Sequence, residues 1–497
     1  LLTLYLVLLT TGSLQEDAYI TFRTGFNYAD HGEYTFNVGE RYPGATSILY
    51  GHWVALLRLL TGDLAIPAVV SCNALAMIVA CWLMARRLAD ELHMPRQRWL
   101  LWCLLAAAPQ SLVIGTNGME TSILVLGLAC AASTMGRVSP RVAHQAVLAG
   151  LPFVRPDAAA FSLIFAAFAP GRSKKLIAAL WIAAGVAVTG LATWYYTDKW
   201  LPNAVSAKSL FSAPDRSLGA TWERAVSMYL TNSYLAPFHT KYLHRIGGFY
   251  GSAIVTVGLM LGLAVVAHRR GWDLRLLGAL GAAALLVPAA YAYGGILHPW
   301  YMQPSAWLAA CLGLGAVLLA VARQPARRRR LASHGLAAAV ALGAAGHYML
   351  SLNLGAQESR YRAGVGDFIA KLARPGDTLF LEPAGYIPFH AGIRTIDHVG
   401  LASPVVLDFL KADRRRWWID LVTRLHPTFI VDRSDIAEGK TESGVELNER
   451  DQAWLRANYV LVARFRYVPH AYARSGVEAK ILALGSHADY YVFRLRR

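Results

Sequence analysis

Residues 1–20 read LLTLYLVLLTTGSLQEDAYI, an uncharged apolar run from Leu1 to Leu14 followed at once by the carboxylate pair Glu16-Asp17. Charge inside a bilayer is expensive, so two adjacent acids after an apolar run belong at a membrane exit. There they stay ionised yet close enough to lipid to meet a substrate anchored in it. The pair reads as a reaction site on the membrane surface, with a plain surface anchor as the rival reading. The run itself reads as a retained span, because no small-x-small cleavage site precedes the acids.

Working outward, hydrophobic residues make up 55% of the 497 and charged residues 16%, and mean hydropathy is +0.36. Those values exceed what a soluble globular chain carries and indicate an integral membrane protein. Uncharged stretches long enough to cross, or nearly so, are Leu64–Ala85, Trp99–Ile114, Thr121–Gly136, Leu176–Trp194, Phe249–Ala267, Leu276–Leu297, Pro304–Ala322 and Leu331–Ala356. With Leu1–Leu14 and the shorter Val142–Val154 and Ala158–Gly171, the count is about eleven hydrophobic elements.

If the first segment runs outward, the cytoplasmic loops are Arg86–Arg98, Arg137–Arg141, Arg172–Lys175, Arg269–Arg275 and Arg323–Arg330. They hold 17 Lys and Arg against a net charge of +17. The positive-inside rule thus accounts for the basicity without nucleic acid. The condition is that Tyr42–Leu60 lies along the outer surface and does not cross. The five cysteines all fall inside apolar spans and read as small buried hydrophobes.

The texture changes near residue 356. Residues 1–356 form the membrane part, with external loops 13–63 and 195–248. Residues 357–497 have ordinary charge density and alternate between helix-like and strand-like runs, which predicts an external soluble α/β domain. Its strand candidates are Thr378–Leu381, Thr428–Val431, Tyr459–Tyr467 and Tyr490–Leu495, and its helix candidates Arg360–Leu372, Arg414–Leu425 and Glu449–Ala457.

With that orientation, Glu16-Asp17, Glu40-Arg41, Asn117 to Glu120, Arg155 to Asp157, Asn203 to Lys208 and His298 to Gln303 all fall on the outer side. One shared cavity is the economical reading. A transporter would place its broken helices at the midplane and often show two related halves, and no internal repeat is visible. The helices flanking Arg155-Pro156-Asp157 are too short to span about 30 Å. The charged turn therefore lies at membrane depth and lines a water-filled cleft, with a self-satisfied Arg–Asp pair as the alternative. Tyr19, Phe22, Phe26 and Ala29 recur at helical spacing opposite Arg23, Asn27 and Asp30. This predicts an amphipathic helix lying flat on the membrane with its apolar stripe down.

Glu16-Asp17-Ala18-Tyr19-Ile20, Phe36-Asn37-x-Gly39-Glu40-Arg41, Gly118-Met119-Glu120-Thr121, Arg155-Pro156-Asp157, Leu201-Pro202-Asn203 with Lys208, and Asp397-x-x-Gly400-Leu401 occur in this order. Together they resemble the polytopic GT-C glycosyltransferases that use polyprenyl-phosphate sugars, in particular the cell-wall arabinofuranosyltransferases that use decaprenyl-phosphate arabinose. Members commonly carry two aspartates where this chain has Glu16-Asp17.

The resemblance implies a polytopic α-helical GT-C-like fold in a bacterial plasma membrane, with the site and the C-terminal domain on the periplasmic side. It also implies transfer of a pentose, arabinofuranose, from a polyprenyl phosphate to an external glycan or protein acceptor. Such a donor carries its own leaving group, so the enzyme must deprotonate an acceptor hydroxyl and stabilise the departing phosphate. Asp17 is the candidate base, Glu16 its neighbour or a metal-binding partner. Glu120 is a second acidic candidate, or a helix-terminal charge. Arg155 suits the donor phosphate by its fork of donors. Lys208 is a weaker candidate that reads first as a solvated loop charge, and His298 reads equally as an interfacial belt residue. Asn203 and Arg41 complete the donor-binding set. Asp397 and His398 read as a turn before Gly400, and the resemblance adds a role in covering the site. No metal motif is visible; a divalent ion between the carboxylates and the donor phosphate is compatible with them but is not required. The alternative from another class is a non-enzymatic transporter or binding protein for a lipid-linked sugar.

Overall fold

The computed structural model describes residues 1–136, 141–212, 215–231, 249–295, 298–485 and 487–496. Parts of the expected loops Arg137–Arg141 and 195–248 lie outside the described residues. The molecule is a multi-pass helical membrane protein with a C-terminal α/β domain, as expected. Among the described residues, five helical stretches are long and apolar enough to cross a membrane, six if the bent pair Pro95–Ala107 and Pro109–Thr116 is one span. Thr121–Thr134, Val142–Val154, Pro156–Ala167 and Val257–Arg269 are shorter apolar helices. The opening helix Leu2–Leu9 packs Tyr5 and Leu8 into the main membrane core.

Two expectations change, and the condition on Tyr42–Leu60 is left as it stood. Trp99–Ile114 is not one straight span: it bends by 58° at Pro109, whose ring forces Ala108 into an extended conformation. Tyr42–Leu60 becomes helical from Ile48 and runs through a short turn into Ala65–Glu91. By length and composition the two count as one candidate crossing. The stripe Tyr19, Phe22, Phe26 does not lie on lipid. In the Glu16–His31 helix Tyr19 packs face to ring on Tyr386 at 3.8 Å, Phe26 lies 5.6 Å from Phe389, and Phe22 is fully buried. The C-terminal domain and the Ile48–Thr61 helix together cover the face that the periodicity had assigned to the membrane.

That domain is a five-stranded sheet of β1 (Thr378–Leu381), β2 (Arg394–Asp397), β3 (Phe429–Asp432), β4 (Tyr459–Phe465) and β5 (Tyr490–Leu495), ordered β2-β1-β3-β5-β4. β2, β1 and β3 are parallel, and β5 and β4 continue antiparallel. No flexible joint separates it from the membrane part. The helix Ala326–Gly355 continues through a π-helical segment, Ala356–Arg362, into Ala363–Leu372. About 20 residues suffice to cross a bilayer, so this 47-residue stretch runs beyond a single span and carries the domain on its C-terminal end.

Candidate active-site cleft

Seven chain segments meet at one cleft. Its walls include Asp17 and Thr21 from the Glu16–His31 helix, Gly44 to Thr46, Met119-Glu120, Arg155, Lys208, and Trp300-Tyr301, with Leu401 of the C-terminal domain closing one side. Four of the sequence candidates, Asp17, Glu120, Arg155 and Lys208, are thus brought together.

The turn before Glu120 sets the frame. Gly118 takes φ +79°, where a side chain would be strained. Its carbonyl accepts from Tyr50 Oη at 2.7 Å, Asn117 Oδ1 accepts from the Met119 amide at 2.9 Å, and the Asn117 carbonyl accepts from the Gln15 amide at 2.8 Å. The last bond ties the start of the Asp17 helix to the Glu120 turn, so the two carboxylates share one scaffold. Asp17 is half-buried. Burial lifts its carboxyl to about 6, Lys208 opposes the rise, and Glu16, Glu120 and Glu382 add to it.

Arg155 is 2% exposed. Its Nε and Nη2 reach Asp157 at 3.0 and 2.6 Å, and Glu120 lies 3.7 Å from Nε. Nη1 is buried with no partner. A buried guanidinium nitrogen left unsatisfied costs free energy, and here it belongs to a residue that lines the cleft. Tyr301, on the first turn of the Pro299–Ala322 helix, stands between two cations: Arg155 Cζ lies 4.8 Å and Lys208 Nζ 4.7 Å from its ring centre. Lys208 also donates to the Tyr301 hydroxyl, which leaves the phenolic O–H able to donate in turn.

Other candidates stand elsewhere. The Glu16 carboxylate turns away from the cleft: it pairs with Arg362 at 2.8 Å and accepts from the amides of Gly385 and Tyr386 at 2.5 and 3.1 Å. Arg362 also holds Glu358 at 2.6 Å. Glu16 is therefore a docking group for the C-terminal domain. Arg41 makes an exposed ion pair with Asp198 at 2.6 Å, outside the cleft, so its guanidinium is spent at the surface. Asn203 Nδ2 donates to the carbonyls of Gly400 and Leu401 at 2.5 and 3.3 Å, which pins the Lys208 helix to the domain. His298 is exposed, stacks on Trp300 at 4.7 Å, and does not line the cleft. Lys208 is not a solvated loop charge; it is part of the helix Asn203–Ser212 and faces the cleft because Asn203 fixes that helix. Asp397 accepts from the amides of Leu401 and Ala402 at 2.5 and 2.9 Å and shapes the turn that presents Leu401, while His398 is buried against Phe380 and Trp417. Among the described residues no group of three or more His, Cys, Asp or Glu is placed to hold a metal ion.

Sequence reading placed the segment His298 to Gln303 on the outer side but did not single out Tyr301 within it, and it missed Arg362. The family described as Domain of unknown function (DUF8728) matches residues 351–492. No curated protein matches the sequence. Among solved structures, ArnT from Cupriavidus metallidurans bound to undecaprenyl phosphate is similar over 93% of this chain and 95% of that chain, with 14% identity and a TM-score of 0.50. The apo state of the same protein gives 14% identity, 93% and 94% coverage, and a TM-score of 0.49. The fold is shared with ArnT. The likeness runs through both the membrane part and the C-terminal domain, so the GT-C-like architecture expected from the sequence is the observed one.

Proposed function

We propose that the chain is a membrane glycosyltransferase that moves a sugar from a polyprenyl-phosphate donor to a hydroxyl acceptor on the periplasmic side of a bacterial plasma membrane. The observation that carries this is the juxtaposition, in one cleft, of the Asp17 carboxylate with Arg155, Lys208 and Tyr301. The fold shared with an ArnT structure that holds undecaprenyl phosphate supports a donor of that class. In the reaction, Asp17 accepts the proton of the acceptor hydroxyl as its oxygen bonds to the anomeric carbon. The bond from that carbon to the phosphate oxygen breaks. The phosphate leaves with one more negative charge, met by the free Nη1 of Arg155, by Lys208 and by the Tyr301 O–H. The motif resemblance favours a pentose, arabinofuranose, as the transferred sugar and a glycan or protein as the acceptor.

The test is purified protein with a synthetic polyprenyl-phosphate arabinose. Release of polyprenyl phosphate that depends on an added acceptor is expected. Tight binding with no release under any acceptor would replace the enzyme reading with a lipid-linked sugar carrier.

A further inference from the structure

The segment 469–485 stands at the junction of the C-terminal domain with the membrane part, and nothing in the cleft chemistry uses it. It comprises the short turn Pro469–Tyr472 and the helix Gly476–Leu482. Its position is fixed by the outer ends of two apolar helices. Arg474 Nη1 donates to the carbonyl of Thr10, just past the opening helix, at 2.9 Å. Asn353, near the end of Ala326–Gly355, donates from Nδ2 to the carbonyl of Ile481 at 3.0 Å.

The two faces of the segment differ sharply. Glu478 and Leu482 point inward, and Glu478 is held by Arg360 at 2.9 Å and by the Arg474 amide at 2.7 Å. The acid of this helix is thereby neutralised inside the protein. Outward, Val477 on the helix is 72% exposed and Leu484, just past its end, 71%, with the exposed Lys480 between them in sequence and on the face of Val477. On the long helix, about three turns and one turn before Asn353, Leu342 and Met349 are 74% and 50% exposed on one face. That apolar surface leads up to Asn353 and so to the 469–485 segment.

We propose that residues 469–485 seat the C-terminal domain on the bilayer, with Val477 and Leu484 entering the boundary between headgroups and acyl chains and Lys480 facing an anionic lipid headgroup. An apolar pair flanking a cation, with no exposed acid on the helix, is the arrangement that an interfacial segment presents to anionic lipid. The seat would fix the height of the domain above the membrane and with it the position of Leu401 over the cleft.

The experiment places the photo-cross-linker p-benzoylphenylalanine at Val477, at Leu484 and, as a control, at Val460. Val460 is 39% exposed and lies at the opposite end of β4 from Phe465, which touches Phe368. The full chain is reconstituted in nanodiscs of phosphatidylcholine with or without phosphatidylglycerol, and lipid adducts are read by mass spectrometry. Adducts at 477 and 484 but not at 460, several-fold more abundant with phosphatidylglycerol and reduced to the neutral-lipid level by Lys480→Glu, are expected. No adduct at 477 or 484, or equal yields at 460, would overturn the seat. Yields insensitive to both phosphatidylglycerol and Lys480→Glu would overturn the anionic headgroup. These replacements are at exposed positions, and unchanged thermal unfolding in detergent confirms that each variant is folded.

Discussion

A carboxyl at about 6 suits Asp17 to accept a proton near neutral pH, where it is mostly ionised but not strongly acidic. Its raised value means that the acid loses this capacity as the pH falls through 6. The rate of transfer at low donor concentration should therefore drop on the acid side with an apparent pKa near 6. Asp17→Asn should lower transfer by roughly two to four orders of magnitude, as loss of a general base does, and should abolish that acid limb while thermal unfolding stays near wild type. An acid limb that persists in Asp17→Asn would move the base to Glu120. Arg155 gives the second residue-scale test. Two of its guanidinium nitrogens are committed to Asp157 and only Nη1 is free. Arg155→Lys keeps the charge but cannot serve both partners, so donor affinity measured by titration should fall by about tenfold or more. Unchanged affinity in a folded Arg155→Lys protein would mean that Arg155 merely neutralises Asp157. Asp17, the charged turn and Glu120 stood out in the sequence because charge next to apolar runs is conspicuous, but the same signal also drew in Glu16, which faces away from the cleft. Tyr301 did not stand out, since an aromatic at a span end looks the same whether it faces lipid or two cations.

At the scale of elements, the Glu16–His31 helix is gripped by the C-terminal domain. A Cβ at Gly385 would fall 2.1 Å from the Glu16 carbonyl oxygen, so the two backbones touch where only glycine fits. Beside this contact Arg362 serves Glu16, Glu358 and the Tyr490 hydroxyl. Arg362→Met would leave two carboxylates with little solvent and no cation, a loss of about 3–5 kcal/mol by the cost of breaking a buried pair. The melting temperature in detergent should fall clearly. Adding Glu16→Gln and Glu358→Gln should restore part of it, because the uncompensated charges are then gone. A triple variant no more stable than Arg362→Met would assign the loss to packing and not to charge. The helix itself was legible from its spacing, but its neighbour was not. A stripe of Tyr19, Phe22 and Phe26 fits lipid and protein equally well, and the partner ring, Tyr386, lies hundreds of positions away. Strand β2 was missed because four residues between Gly392 and Gly400 carry too little pattern to separate them from a turn.

For the whole molecule, the sequence places a boundary at residue 356 from the change in composition. It does not mark a hinge, because the helical path continues through it and because the two parts are joined a second time, far from the covalent link. Arg23 carries much of this second joint. Its guanidinium donates to the carbonyls of Pro388 and Ile393 in the domain, both at 2.7 Å, and to the carbonyl of Phe36 in the loop after the Glu16–His31 helix at 2.7 Å. Asn37 adds a bond from Nδ2 to the Thr395 carbonyl at 2.8 Å and accepts from its amide at 2.9 Å. Since Leu401 completes the cleft wall, the site exists only while this docking holds. Arg23→Ala should therefore act at a distance. Hydrogen exchange should rise together in residues 16–31 and 386–397, and turnover should fall even though Arg23 does not line the cleft. Each of the three carbonyls loses a charge-assisted bond worth about 1.5–3 kcal/mol, so local opening is the expected route and global unfolding is not. Faster exchange confined to residues 386–397, with turnover unchanged, would show that the domain can loosen without disturbing the cleft and would separate the two parts functionally.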